Sequence, residues 1–338
     1  MSQPTISDVA LAAGVSVATV SRALRGLDKV HPETRERVLR AAAELDYIAS
    51  PTASGLASGR TRLVGIITPF MARWFFTEMM SAIEKTVREK QHHILLMDLE
   101  EPATAGRMPL TQGMMFKRVD GLIVINAELK EPERDLIRRL DLPVVAVGTR
   151  HDDWPLIGID DHATVTLATE HLLGLGHRRI GYVGAVPESF STVNTPRARL
   201  GGFRETMAKQ GVTVREGWII ECDWSAGDAY ARGTALLRGE DRPTAVLGAS
   251  DEMALGVLSA AHDLGLRVPQ DVSIIGIDDH DLSGVFGLTT VRQDVHAQGV
   301  AAAQALLAQL DLAQPHLATD HTFPVELMRR ASTGPPPD

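Results

Sequence analysis

The sequence predicts two unlike pieces: a small all-α helix-turn-helix domain, then a larger α/β domain of two doubly wound parallel-sheet subdomains. Charge separates them. The first 62 residues hold 8 Lys/Arg and 6 Asp/Glu, a net of +2, with Tyr47 as their single aromatic; the other 276 hold 26 and 37, a net of −11. Periodicity separates them too. From Leu63 onward short aliphatic runs alternate with amphipathic stretches, the pattern of parallel strands covered by helices on both faces. That region, about 270 residues long, exceeds one compact sheet of this type and implies two similar halves. The chain has 44% hydrophobic and 23% charged residues, an ordinary folded composition; with only 4% aromatic residues the core is aliphatic.

Other classes fall away. One cysteine, Cys222, excludes an intramolecular disulfide framework and fits a reducing compartment. The first ten residues show neither a charged n-region nor an apolar h-region, and no apolar run approaches about 18 residues. A cytoplasmic protein with no membrane partner is expected.

The first helix starts at Thr5, where Thr5-x-x-Asp8 has capping-box spacing with Asp in place of Glu. Ile6, Val9, Ala10 and Ala13 follow at helical spacing, and Gly14 stops the helix. Ser16 is a good N-cap for a second helix, with Val20 and Leu24 inward and Val17, Ala18, Ser21, Arg22 and Arg25 outward. A third helix opens at Pro32 and runs to Tyr47. Two short helices joined by a tight glycine turn make a helix-turn-helix pattern, which by itself also suits a protein-binding bundle.

The string Thr-Ile-Ser-Asp-Val-Ala-x-x-Ala-Gly-Val-Ser-x-x-Thr-Val-Ser-Arg-x-Leu at 5–24 is more specific. With Glu33-Thr34-Arg35-Glu36-Arg37-Val38 and Leu45-Asp46-Tyr47-Ile48, it resembles the signature of the lactose-repressor/galactose-repressor family of bacterial transcription regulators. The resemblance implies a DNA-binding domain at 1–48. Thr5, Ser16, Val17, Ala18, Thr19, Ser21 and Arg22 are the expected DNA-contacting residues. A recognition helix enters the major groove amino end first. Its free N–H groups, with Ser16 and Thr19, suit a phosphate, and Arg22 suits a guanine edge or a phosphate. Val17 and Ala18 are apolar where family members often carry larger polar residues; they suit thymine methyls.

Residues 49–61 read as a flexible linker with Gly55, Gly59 and three serines. The resemblance implies a hinge helix that forms on DNA, with Ala53 at the helix pair and Leu56 as the wedge into the minor groove. Gly55 departs from the longer polar residue common there and costs a helix about 1 kcal/mol relative to alanine.

In the large domain, strands are expected at 63–67, 94–97, 121–125, 144–147, 180–183, 245–248 and 273–277, and helices at 75–89, 163–175, 201–210 and 252–264. The resemblance implies the periplasmic sugar-binding-protein fold over 62–330, pairing into a homodimer; the proline-rich tail at 331–338 is expected to be disordered. No G-x-G-x-x-G, G-x-x-x-x-G-K-[ST] or G-x-S-x-G is present, so neither an enzyme nor a cofactor is expected. Asp278-Asp279-His280-Asp281 offers metal-type ligands, but it follows a buried strand, where open α/β folds place ligand-binding groups. No metal is assigned.

The family's effector-binding positions fall on Phe75, Thr195, Arg199, Trp224, Ser250 and Asp278. Phe75 and Trp224 have faces suited to sugar C–H groups. Arg199 is a bidentate donor near a helix start, where a cation opposes the dipole. Asp278 is an acceptor for hydroxyls. Asp251 is expected only to cap its helix, and Phe76 to be core. Arg73 adds a positive charge near the mouth, which suits a sugar acid. The expected function is a repressor of carbohydrate-metabolism genes that binds a near-palindromic double-stranded DNA operator and is released by a sugar or sugar acid. The rivals are a global carbon regulator with a phosphoprotein corepressor, a sugar-transport protein, and an α/β enzyme.

Overall fold

The computed structural model describes residues 4–24, 29–47, 60–69, 71–101, 106–151, 154–185, 194–311 and 319–337. The hinge residues Ala53 and Leu56, and Arg25, lie outside them. The chain divides into two compact units, Met1–Arg62 and Leu63–Asp338.

The first unit has three helices, α1 (Ile6–Ala13), α2 (Val17–Leu24) and α3 (Pro32–Glu44). Thr5 caps α1 reciprocally: its N–H donates to Asp8 Oδ2 at 2.8 Å, and Asp8 N donates back to Thr5 Oγ1 at 3.4 Å. Asp therefore completes a box usually closed by a longer acid. Gly14 ends α1 at φ 64°, a left-handed conformation that favours glycine. Val9, Ala13, Val20, Ala23 and Val38 form an aliphatic core, against which Tyr47 packs.

The second unit has two lobes. In the N-lobe, β1 (Leu63–Thr68), β2 (His93–Asp98), β5 (Gly121–Ile125), β6 (Val144–Val147), β7 (Leu156–Gly158) and β13 (His321–Thr322) form a parallel sheet. Its order is β13-β7-β6-β5-β1-β2. A small hairpin, β3 (Glu100–Glu101) with β4 (Gly106–Arg107), stands apart. In the C-lobe, β8 (Ile180–Gly184), β9 (Ile219–Glu221), β10 (Ala245–Gly248), β11 (Ser273–Asp278), β12 (Thr289–Gln293) and β14 (Val325–Met328) pair in the order β14-β12-β11-β10-β8-β9. Only β14 is antiparallel. The chain crosses between lobes three times: after β7, after β12, and between β13 and β14. Helix Val295–Leu310 belongs to the N-lobe core, so the lobes are interwoven in sequence.

Two expectations are corrected. Helix 201–210 in fact begins at Thr195, because Pro196 fits a first helical turn that apolar spacing does not reveal. The tail is not disordered through 337. Ser332 Oγ donates to the Ile274 carbonyl at 2.6 Å, Thr333 Oγ1 lies 2.9 Å from His171 Nε2, and Gly334 N donates to Ser273 Oγ at 3.0 Å. Fully buried His177 reaches the Gly334 carbonyl at 2.9 Å. Backbone bonds to buried partners hold a segment that composition marks as loose.

Candidate functional site

On the first unit, α2 presents an exposed face of Val17, Ala18 and Arg22, with Ser21 half-buried, while Val20 and Ala23 point into the core. Ser16 Oγ accepts the Thr19 N–H at 3.2 Å and lies 2.9 Å from Thr19 Oγ1. The amino end of α2 is thus locked in position, with its remaining first-turn N–H groups directed outward. The exposed Thr5 hydroxyl donates to Asp8 Oδ2 at 2.8 Å.

On the second unit, a cavity lies where the carboxyl ends of both sheets face each other. Phe75 and Phe76, from the helix after β1, and Asn126, just past β5, form the N-lobe wall, with Arg73 beside them. The C-lobe wall has Thr195 and Arg199 on the helix after β8, and Trp224 after β9. Ser250 and Glu252 follow β10, Asp278 ends β11 and Gln293 ends β12. The six residues expected at the effector site therefore share one cavity. Phe76, expected as core, is 7% exposed and lines it as well. Asn126, Trp224 and Asp278 have φ of 45°, 69° and 124°, where side chains are strained, and such strain concentrates at ligand sites.

The polar heart of the cavity is a buried network. Arg199 is 5% exposed; its Nε donates to Asp161 Oδ1 at 2.7 Å and its Nη1 to the Ala249 carbonyl. Thr195 donates to the other Asp161 oxygen at 3.0 Å. Asp278 Oδ1 lies 4.0 Å from Arg199 Nη1 and accepts from Gln293 Nε2 at 2.6 Å. Two carboxylates thus face one guanidinium, and Asp161 holds the closer position. Burial pushes the Asp278 carboxyl up to about 7, while Arg199 pulls the other way. For Arg199, burial opposes the charge, but Asp161 and Asp278 outweigh it and keep the guanidinium protonated.

Asp161 is the main residue that sequence reasoning missed. It lies 38 residues before its partner, and only the paired helix starts bring them together. Asp251 is also corrected. Ser250, not Asp251, caps helix Asp251–Asp263, accepting Met253 N at 3.3 Å. Fully buried Asp251 instead accepts from His280 N at 2.9 Å and from Ser283 and Thr290 hydroxyls at 2.6 Å each. It anchors the loop that follows Asp278. Gly276 makes room for it: a Cβ there would lie 2.0 Å from Asp251 Oδ1.

The acidic run after β11 does not converge on one point. Asp279 accepts from Arg330 at 2.5 Å and Asp281 lies 2.6 Å from His280. Among the described residues, ligand-type side chains gather at Cys222, Asp223 and Asp228. Burial pushes that thiol up to about 12, so it stays protonated. Trp224 Nε1 and Asn126 Oδ1, from opposite lobes, are buried without hydrogen-bond partners among the described residues. No single helix among those residues is long and apolar enough to cross a membrane.

Comparison with known proteins matches both units. Residues 5–50 match the bacterial regulatory proteins of the lacI family, and residues 169–333 match a periplasmic binding protein-like domain. Catabolite control protein A of Priestia megaterium is 32% identical over 306 residues, 89% of this chain and 91% of that protein. The lac repressor dimer bound to operator and the anti-inducer ONPF superposes with a TM-score of 0.83 at 29% identity, covering 98% of this chain and all of that one. A complex of the transcriptional regulator CelR with cellobiose gives 0.68 at 26% identity, covering 97% and 99%. The two units, their order in the chain and these matches together show that the chain belongs to the lactose-repressor/galactose-repressor (lacI) family of bacterial regulatory proteins.

Proposed function

We propose that the chain is a homodimeric repressor that binds a near-palindromic DNA operator through α2 and is released when a sugar enters the cavity between the lobes. The observation that carries the effector class is the cavity wall. Aromatic faces from both lobes, Phe75 and Trp224, beside a paired Arg, Asp and amide set suit ring C–H groups and hydroxyls together. Its buried cation is already matched, Arg199 by Asp161, and the charges of Glu252 and Asp223 act on Arg73. A neutral sugar fits that balance better than a sugar acid. The relative that binds operator and the relative that holds cellobiose support the same reading. A phosphoprotein corepressor would leave this cavity without a role.

Thr5, Ser16, Val17, Ala18, Thr19, Ser21 and Arg22 are the proposed DNA-contacting residues on the first unit, with Ala53 and Leu56 in the hinge. Effector binding shifts the lobes, and DNA affinity changes reciprocally with effector affinity. Thermal unfolding of the full chain against neutral sugars and the corresponding uronic acids and phosphates tests the effector class. A sugar present at about 100 times its Kd adds about 2.7 kcal/mol of stability. The same sugar should release the chain from operator DNA in a gel-shift assay. Stabilisation by the acids alone would overturn the neutral-sugar reading.

A further inference from the structure

Helix Val295–Leu310 buries one face in the N-lobe, and the single polar side chain on that face is Gln298, 1% exposed. A buried amide calls for a partner. Gln298 finds one five residues back, where its Nε2 donates to Gln293 Oε1 at 3.1 Å. Gln293, itself 4% exposed, stands just before the helix N-cap Asp294, whose Oδ1 receives the Ala297 N–H at 2.8 Å. The two glutamines thus hold the place before the cap and the fourth place of the helix. An apolar pair often fills those two places and fixes how the chain enters a helix.

The far end of Gln293 explains why an amide pair stands here. Its Nε2 donates to Asp278 Oδ1 at 2.6 Å, the short distance of a charge-assisted bond. Two apolar residues would fix the turn and leave Asp278 without this donor. An apolar residue at 298 alone would leave Gln293 Oε1 buried and unpaired. Asp278 lines the cavity, and among the described residues its other oxygen, Oδ2, has no hydrogen bond. Gln298 does not line the cavity.

We propose that Gln298 is a positioning residue for the effector cavity: from outside it, an amide staple holds the Gln293 N–H on Asp278 Oδ1 and leaves Oδ2 for a ligand hydroxyl. The ligand hydroxyl rests on the proposed function; the staple itself does not. Other groups also face Asp278. Arg199, Asp161 and Asp251 come from three C-lobe helices, and Arg73 and Glu252 line the same cavity. Burial, Asp251 and Asp161 hold the Asp278 proton on, whereas Arg199 and the Gln293 amide help to remove it. Slackening the staple withdraws that amide, so Asp278 keeps its proton to higher pH.

Urea unfolding of the full chain from pH 5 to 9, without sugar or DNA, tests this. Each variant is compared with the same variant carrying Asp278→Asn, so that the difference follows Asp278 alone. In the parent that difference is lost as pH rises through about 7, because the folded-state pKa is raised. Gln298→Met should move the loss up by about one pH unit, the scale of one hydrogen bond. Gln293→Met should move it as far, and the double variant no further, because Gln298 acts through Gln293. At pH 5 the double variant should be more stable than Gln298→Met alone, since two methionines restore an apolar staple. An unmoved pH midpoint in Gln298→Met overturns the proposal, as do additive shifts in the double variant. A Gln298→Met protein that does not fold is replaced by Gln298→Asn, which is one methylene too short to reach Gln293 and is read in the same way. Since no sugar enters the experiment, a failed staple leaves the proposed function standing, and a sugar that does not bind leaves the staple standing.

Discussion

The N-lobe lends the cavity two phenylalanines and one amide, with Arg73 beside them, whereas the C-lobe lends it Trp224 and the polar set Thr195, Arg199, Ser250 and Asp278, braced by Asp161 from behind. The difference lies in who holds the side chains. Arg199 is fixed by Asp161 and the Ala249 carbonyl, both in its own lobe, before any ligand arrives. Phe75 rests edge-on against Phe76 at 5.2 Å and is only half-buried. The C-lobe thus holds the preorganised polar group of the cavity, and the N-lobe supplies a mainly apolar cover. Preorganised donors lose little entropy on binding, so orientation and selectivity belong to the C-lobe.

The strongest way to break this contrast is at its brace. Asp161→Asn removes the nearest counter-charge of a buried guanidinium, and such a loss costs about 3–5 kcal/mol. Chemical unfolding of the large unit should show that fall; a change under about 1 kcal/mol would mean the network does not hold the receptor. Arg199→Lys keeps the charge and loses the fork. Operator binding should persist while about ten- to a hundred-fold more sugar is needed for release, measured by gel shift.

Asp278→Asn sharpens the same contrast through pH. The carboxyl sits near 3.8 when unfolded and is pushed up to about 7 when folded. The native state therefore binds its proton more tightly. The contribution of Asp278 is fully present below pH about 4 and is lost as pH rises through about 7. Asp251, pushed up to about 6 by burial, acts in the same direction. Urea unfolding from pH 4 to 8 should show falling stability in the parent and a shallower fall in the variant. Parallel slopes would place the shift elsewhere. The smallest effect belongs to the cover. Phe75→Ala should weaken sugar binding about three- to ten-fold by calorimetry, with little change in thermal stability.

The sequence revealed the two lobes unevenly. Seven aliphatic runs mark central strands such as Gly121–Ile125, where every residue is buried and periodicity cannot be missed. Strands at the margins escaped notice. Thr289–Gln293 mixes buried and exposed polar residues, and His321–Thr322 is two residues long, too short for any pattern. Helix Val295–Leu310 escaped because alanine dominates it and blurs its apolar face. The cavity residues were legible through family positions. Their support was not, since Asp161 and Gln293 become partners only through the lobes' topology. Arg199 was legible by physics as well: a cation near a helix start opposes the dipole, and its buried partner explains why it is there.

The three crossings between lobes fix the order of events during synthesis. The N-lobe sheet lacks its edge until His321 and Thr322 have been made, and its core lacks helix Val295–Leu310 until shortly before. The C-lobe waits longer still, for β14 and for the stitches from Ser332 to Gly334. A nascent chain of 290 residues therefore holds two unfinished sheets and no finished lobe, while the helices α1 to α3 are complete. The DNA-binding unit can fold early, and the effector unit can fold only once the chain has been made as far as Gly334.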